Sequence, residues 1–249
     1  MNTRVVVLAA GKGKRMGSEV PKPLIEIAGK PMVDHLLANI HESGVDTLPI
    51  LVIAPDATDL FRPICENHRC ELAFQEEQLG TGHATHVAKE LAGDADTIVV
   101  LYGDHPFISP EIIKELVAMR KEHHAAISMI TAKVPNYNKD FAAFKSWGRI
   151  LRDSTGNVVK NIEAKDATEE ELAIKEVNPS LYAFDAHWLW EHLPELQNEN
   201  ASGEYYLTDL IGMAIEEGED VVTANADPFE VIGINTPEEL ERAERLLGK

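Results

Sequence analysis

Four short apolar runs, at 5–9, 50–54, 72–75 and 97–102, stand out along the first part of the chain. Each is closed by Gly, Pro or charged residues, the pattern of a strand buried on both faces. Helical patterns lie between them. Met32, Val33, Leu36, Leu37 and Ile40 recur at helical spacing behind Pro31, a residue suited to a helix start. Stretches 83–91 and 110–123 also predict helices, the second with Ser109 as its N-cap. Strands alternating with helices imply an α/β fold, with a mainly parallel sheet and helices on both faces.

The pattern then changes. Segments 126–133, 148–152, 158–164 and 176–184 predict strands with no long helix between them, an antiparallel extension of the same sheet. Residues 166–175 form either one short acidic helix or an exposed loop. Helical spacing resumes at 186–193, 205–217 and 237–247, with strands predicted at 220–224 and 230–234. No internal repeat or low-complexity linker divides the chain, so residues 1–249 are expected to form a single domain.

Composition narrows the function classes. The chain has 249 residues, 44% of them hydrophobic and 26% charged, the balance of a globular protein. No apolar run approaches the ~18 residues that span a bilayer. Two cysteines, Cys65 and Cys70, make no disulfide framework or zinc pattern, and both are expected to be reduced thiols of a cytoplasmic protein. The net charge of −19 argues against nucleic acid as a partner. Yet Arg4, Lys12, Lys14, Arg15, Lys22 and Lys30 outnumber Glu19 and Glu26 in the first thirty residues. A basic patch confined to the first loop of an acidic chain suggests a local anion site.

That loop runs Gly11-Lys-Gly-Lys-Arg-Met-Gly17 and is followed by Pro21-Lys-Pro23. Glycines let backbone N–H groups approach an anion, and Lys and Arg add charge. It is neither a Walker P-loop nor the dinucleotide fingerprint, because the spacing after Gly13 fits neither. Tyr102-Gly103-Asp104 follows a strand. A carboxylate there suits Mg²⁺ beside nucleotide phosphates, and it also suits a plain strand-end turn before Pro106. Gln75 opens another strand–loop–helix segment and could read a base edge by donating and accepting at once. His83 and His86 lie three apart without an acidic or cysteine partner, so both read as core or surface histidines. Gly203-Glu-Tyr-Tyr-Leu-Thr-Asp209 opens a helix, as capping residues or as sugar-binding groups. Asn235 precedes Thr236-Pro237, where a turn residue is equally at home.

Together these motifs resemble the uridyltransferase domain of the bacterial bifunctional N-acetylglucosamine-1-phosphate uridyltransferase / glucosamine-1-phosphate acetyltransferase. The resemblance rests on Leu8-Ala-Ala-Gly-Lys-Gly-Lys-Arg-Met16, Pro21-Lys22, Gly29-Lys-Pro-Met32, Glu77-Gln-Leu-Gly-Thr-Gly-His-Ala84 and Tyr102-Gly-Asp104. It continues through Gly148-Arg-Ile150, Glu163-Ala-Lys-Asp-Ala-Thr168, Glu176-Val-Asn178 and Gly203–Asp209. The motifs at 77–84 and 203–209 are the narrower ones.

The resemblance implies a Rossmann-like three-layer sandwich with a mixed, mainly parallel sheet, of the nucleotide-diphospho-sugar transferase type. It implies that Leu8, Ala9, Ala10, Gly11, Gly13, Lys22, Tyr102 and Gly103 hold the nucleotide, with Gln75, Gly80 and Thr81 on uracil. Arg15, Lys22 and Asp104 would be catalytic, and Asp104 with Asn235 would ligate Mg²⁺. Gly148, Glu163, Asn178, Tyr206 and Thr208 would surround the sugar. The implied substrates are UTP and N-acetylglucosamine-1-phosphate, with no nucleic acid or membrane partner. Two features depart from the family. Asn178-Pro179-Ser180 stands where the family has Asn-Thr/Ser-Gly, which leaves another sugar or nucleotide (UDP-glucose or dTDP-sugar chemistry) as an alternative, beside a non-catalytic nucleotide-sugar-binding regulator. The sequence also stops at Lys249, so the family's left-handed β-helix acetyltransferase half is expected to be absent.

Overall fold

The computed structural model describes residues 2–11, 16 and 20–247. Strands β1 (Thr3–Leu8), β4 (Ile50–Ile53), β5 (Glu71–Phe74) and β6 (Thr97–Tyr102) form a parallel block in the order β5-β4-β1-β6. A two-residue hairpin, β2 (Glu26–Ile27) and β3 (Lys30–Pro31), stands apart from it. The sheet continues through β11 (Tyr182–Asp185), antiparallel to β6, and then β7 (Ile127–Lys133). Strand β12 (Val221–Ala226) runs parallel to β7 on its far edge. Strand β10 (Glu176–Asn178) pairs with the distal end of β7 and leads to β8 (Gly148–Arg152) and β9 (Val158–Ile162). Only β9, β10 and β11 run against the other strands of this ten-stranded sheet.

Side-chain alternation along the strands fills two cores, because successive residues point to opposite faces. Val5 and Val7 of β1 pack with α1 (Met32–Ser43), α2 (Thr58–His68) and α5 (Pro110–His123) on one face. Val6 and Leu8 pack on the other with α3 (Thr81–His86), α4 (Lys89–Ala92), α7 (Ala186–His192) and α8 (Asp209–Glu217). The result is the expected three-layer α/β sandwich. Ser109 caps α5, its hydroxyl accepting from the Ile112 N–H (3.4 Å). No helix among the described residues is long and apolar enough to cross a membrane.

The differences from expectation have local causes. The strand predicted over 176–184 is two strands, because Pro179 has no N–H for a ladder and Ser180 turns to φ +63°. Of the 230–234 run, residues 231–234 are buried but form no strand; Ile234 N–H donates to the Asp104 carbonyl (3.0 Å). Residues 83–91 belong to two short helices, and the chain tightens between them where Ala88 N–H bonds the Thr85 carbonyl (3.1 Å). Helix α8 begins at Asp209, four residues later than predicted. Within 166–175 the chain forms the short acidic helix α6 (Glu169–Leu172), closed by a Thr168–Glu171 capping box. Helix α2 has no counterpart in the sequence reading; Pro63 lies inside it, and only Phe61 and Cys65 are buried.

Cys65 and Cys70 are not the two free thiols expected. They form a disulfide, with Cα atoms 4.7 Å apart. Arg69 takes a left-handed conformation after α2 (φ 50°), which folds Cys70 back so that its N–H reaches the Cys65 carbonyl (3.1 Å). Closeness along the chain, with this turn, brings the sulfurs together.

The base of β1 is clamped by two side chains. Arg4 donates to the carbonyls of Leu91 (2.6 Å) and Leu48 (2.7 Å), to Glu71 (2.6 Å) and to Asp46 (3.3 Å). Asp46, itself buried, also accepts from the Val5 N–H (2.8 Å) and the Leu48 N–H (2.8 Å). Asp46→Ala leaves the buried Val5 N–H unpaired. Urea denaturation should show a loss of about 1–3 kcal/mol, the cost of such an orphaned group, with native secondary structure retained.

Candidate active site

The parallel strands deliver their C-terminal ends to one rim, where open α/β sheets bind ligands. There Gly103 N–H donates to the Leu8 carbonyl (3.0 Å) and Ala9 N–H to the Val52 carbonyl (2.8 Å), so the turn after β1 is tied to both neighbouring strands. A cleft of about 780 Å³ opens above it. Leu8, Ala9, Ala10, Gly11, Lys22, Gln75, Gly80, Thr81, Tyr102, Asp104 and Asn235 all line it. Gly103 lies beneath in a tight fit: a Cβ would sit 3.1 Å from Pro23 Cβ. Pro23 in turn carries Lys22 to the rim in a 3-10 turn. Gly13 and Arg15 lie outside the described residues.

Lys22 Nζ donates to Asp104 Oδ2 and to Asn235 Oδ1 (2.7 Å). The Asp104–Ile234 backbone bond explains the meeting, since it holds the segment before Asn235 against the end of β6. Burial opposes ionisation of Asp104, but the Lys22 ammonium, helped by His105, outweighs it and holds this carboxyl below its usual range. His105 is buried between the rings of Tyr102 and Trp147, 3.7 Å from Asp104 Oδ1, and burial lowers its pKa. Gly233 makes room for it: a Cβ there would lie 2.5 Å from His105 Nε2. Sequence reasoning did not single out His105 or Gly233, although both flank residues it did.

The predicted sugar residues gather beside the cleft. Thr208 donates to Glu163 (3.0 Å), and Gly148 lies against Asn161 and Glu163. Burial, together with the negative Asp166, Glu163 and Glu204, raises the Tyr206 phenol. Asn178 differs from the others. It is 3% exposed, its Nδ2 donates to Asn161 (2.9 Å) and Tyr182 (2.6 Å), and its Oδ1 accepts from Ser180 N–H (2.8 Å). Its amide is committed to the wall behind the pocket.

Residues 79–82 and 205–207 are bonded to each other. Tyr205 N–H donates to the Leu79 carbonyl (2.8 Å), Gly82 N–H to the Tyr205 carbonyl (2.9 Å), and Leu207 N–H to Thr81 Oγ1 (2.9 Å). Gly80 is essential to this seam. It takes φ +121°, and a Cβ on it would lie 2.6 Å from the Tyr205 carbonyl oxygen.

Residues 5–204 match the family described as MobA-like NTP transferase domain. The chain belongs to that family. It is 39% identical over 244 residues to the bifunctional protein GlmU of Caldicellulosiruptor saccharolyticus, covering 97% of this chain and 51% of that one. It is also 39% identical to the GlmU proteins of an Exiguobacterium species (100% of this chain, 53% of that one) and of Clostridioides difficile (99% and 52%). The chain thus spans about half the length of the curated relatives it matches.

Acidic groups accumulate around Glu163. Burial and the nearby Asp166 raise the Glu163 pKa against the Thr208 hydrogen bond. Partial desolvation of its carboxyl, then Glu163 and Asp166, push Asp209 up to about 6. A carboxyl whose folded pKa is raised binds more protons when folded, so its contribution to stability falls as pH rises from about 4 to about 6. Asp209→Asn is therefore expected to melt higher than the parent above pH 6, with the difference vanishing below about pH 4. Thermal melts across that range measure it.

Proposed function

We propose that the chain transfers a uridylyl group from UTP to N-acetylglucosamine-1-phosphate, releasing pyrophosphate with the help of Mg²⁺. The observation that carries this reading is the convergence of Asp104 and Asn235 oxygens on one cation, the Lys22 ammonium, at the rim of a nucleotide-sized cleft. Two oxygen donors already facing a positive charge fit Mg²⁺, which favours oxygen ligands and is commonly held by one or two carboxylates plus substrate phosphates. Among the described residues no group of three or more His, Cys, Asp or Glu could hold a metal ion, so the remaining ligands would be phosphate oxygens and water. When bound, Mg²⁺ would supply neutralisation of charge on the reacting phosphates.

The chain's own part is positioning and electrostatics. A sugar-1-phosphate oxygen attacks the α-phosphorus of UTP, and pyrophosphate leaves in line. The attacking phosphate has a second pKa of about 6, so it is largely ionised without a dedicated base. In this reading Lys22 serves the phosphates beside Gly11, and Arg15 and Gly13, outside the described residues, are assigned to the same nucleotide. Gln75, Gly80 and Thr81 hold the base. Glu163, Tyr206 and Thr208 face the sugar beside Gly148, with Asn178 bracing the wall.

Residues 1–249 are read as one nucleotidyltransferase unit working in the cytoplasm with UTP. The Cys65–Cys70 disulfide is of a kind uncommon in that compartment, and it closes the turn after α2. At 179–180 the backbone supports the N-acetylglucosamine reading. Ser180 keeps the positive φ that glycine favours, held by the Asn178 side chain, so the backbone keeps a glycine-like conformation.

The decisive assay is pyrophosphate release from each nucleoside triphosphate against a panel of sugar-1-phosphates, with Mg²⁺ and with chelator. Release with UTP and N-acetylglucosamine-1-phosphate, lost on chelation, is expected; release with a different pair, or binding without release, overturns the reading. Asp104→Asn should fold normally and lose at least ~100-fold in kcat, the scale of removing one electrostatic stabiliser.

A further inference from the structure

Gln75 follows β5 at the floor of the cleft and is 3% exposed. Its backbone is fixed by the bond from its N–H to the Ile53 carbonyl (2.9 Å). Its side-chain nitrogen lies 3.1 Å from the Gly80 carbonyl oxygen and 3.1 Å from His83 Nδ1. A carbonyl oxygen can only accept, so the amide group facing Gly80 is the NH₂ and not the oxygen. Both its hydrogens are then committed. His83 Nδ1 must be the bare, accepting nitrogen, which places the ring proton on Nε2. Gln75 Oε1 has no partner among the described residues, and it is the atom left for a ligand in the cleft.

A free glutamine amide offers a donor and an acceptor and can turn to suit either. This one is restricted to an acceptor. The geometry points to His83 as a positioning residue that sets nucleobase choice by locking the Gln75 amide with its carbonyl toward the base. The inference rests on the uridylyl-transfer reading for the identity of the substrate. A fixed carbonyl facing ring position 3 accepts from the N3–H of uracil or thymine. Cytosine presents a bare N3 there, and two lone pairs meet. Without His83 one N–H of Gln75 is released, and only the Gly80 carbonyl still resists the turn of the amide that would offer an N–H to cytosine. The histidine thus discriminates without touching the substrate, because an unpaired polar group facing the wrong base is what rejects it.

The test compares the parent with His83→Phe, which keeps ring shape without an acceptor, and His83→Leu, should the first fail to fold. His83→Asn is the rescue, because its Oδ1 stands as many bonds from the backbone as Nδ1 does. Pyrophosphate release with UTP and CTP gives kcat and KM. Equilibrium binding of UMP and CMP by calorimetry is measured on the same proteins, with thermal melts as the fold control. The UTP-over-CTP ratio of kcat/KM is expected to fall at least ~10-fold in His83→Phe, mainly through KM for UTP, and to return to within about 3-fold of the parent in His83→Asn. The UMP-over-CMP binding ratio should move in parallel. A folded His83→Phe or His83→Leu with the parental ratio overturns the lock, as does a parent that binds UMP and CMP alike. A parent that releases no pyrophosphate from UTP sinks the uridylyl-transfer reading alone, because the binding ratios still report on His83.

Discussion

The hydrogen-bonded seam between residues 79–82 and 205–207 is the constraint on which the rest of the site depends. It joins segments more than a hundred residues apart through two backbone bonds and the Thr81 hydroxyl. It forms only because Gly80 tolerates a positive φ and leaves no Cβ to strike Tyr205. The two segments are therefore one surface. The two narrower family motifs, separate in the sequence, are the two sides of this contact. Thr81 gives its hydroxyl oxygen to the seam, so the same residue lines the cleft and anchors the approach to α8.

The rim opposite the seam is organised by charge. Lys22 comes from the loop before β2, Asp104 from the end of β6 and Asn235 from the segment before the last helix. Their meeting depends on packing that contributes no chemistry itself. Pro23 fits over Gly103, Gly233 fits beside His105, and the Asp104 carbonyl holds Ile234. Three glycines, 80, 103 and 233, mark close approaches around the cleft, each for a different neighbour.

Much of this was legible in the sequence. Apolar runs gave away β1, β4, β5 and β6 because those strands are covered on both faces and carry no competing polar pattern. The same signal misled at 230–234, where burial comes without a ladder, and at 176–184, where Pro179 divides one apolar run between two sheet neighbours. Helix α2 was hidden by Pro63 and a narrow buried seam. The cysteines were judged by compartment, whereas their pairing follows from a single left-handed residue, Arg69. In the site, Lys22, Asp104 and Asn235 were named from their motifs, but their convergence across 82 and 213 residues is a property of the fold. Asn178 was expected at the sugar, and its amide proved to be spent on Asn161, Tyr182 and Ser180. The work of His83 became visible only once the Gly80 carbonyl was in place beside Gln75.

The clamp at Arg4 and Asp46 lies at the far end of β1 from all of this. Six residues at ~3.3 Å each make β1 a rigid arm of about 20 Å. A tilt of only about 3° at its base would swing its tip by about 1 Å, the scale of misplacement that can cost ~100-fold in rate. Leu8, Ala9 and Ala10 ride on that tip. A guanidinium and a carboxylate at the far end of the strand thus act as the fulcrum that keeps this part of the cleft in register.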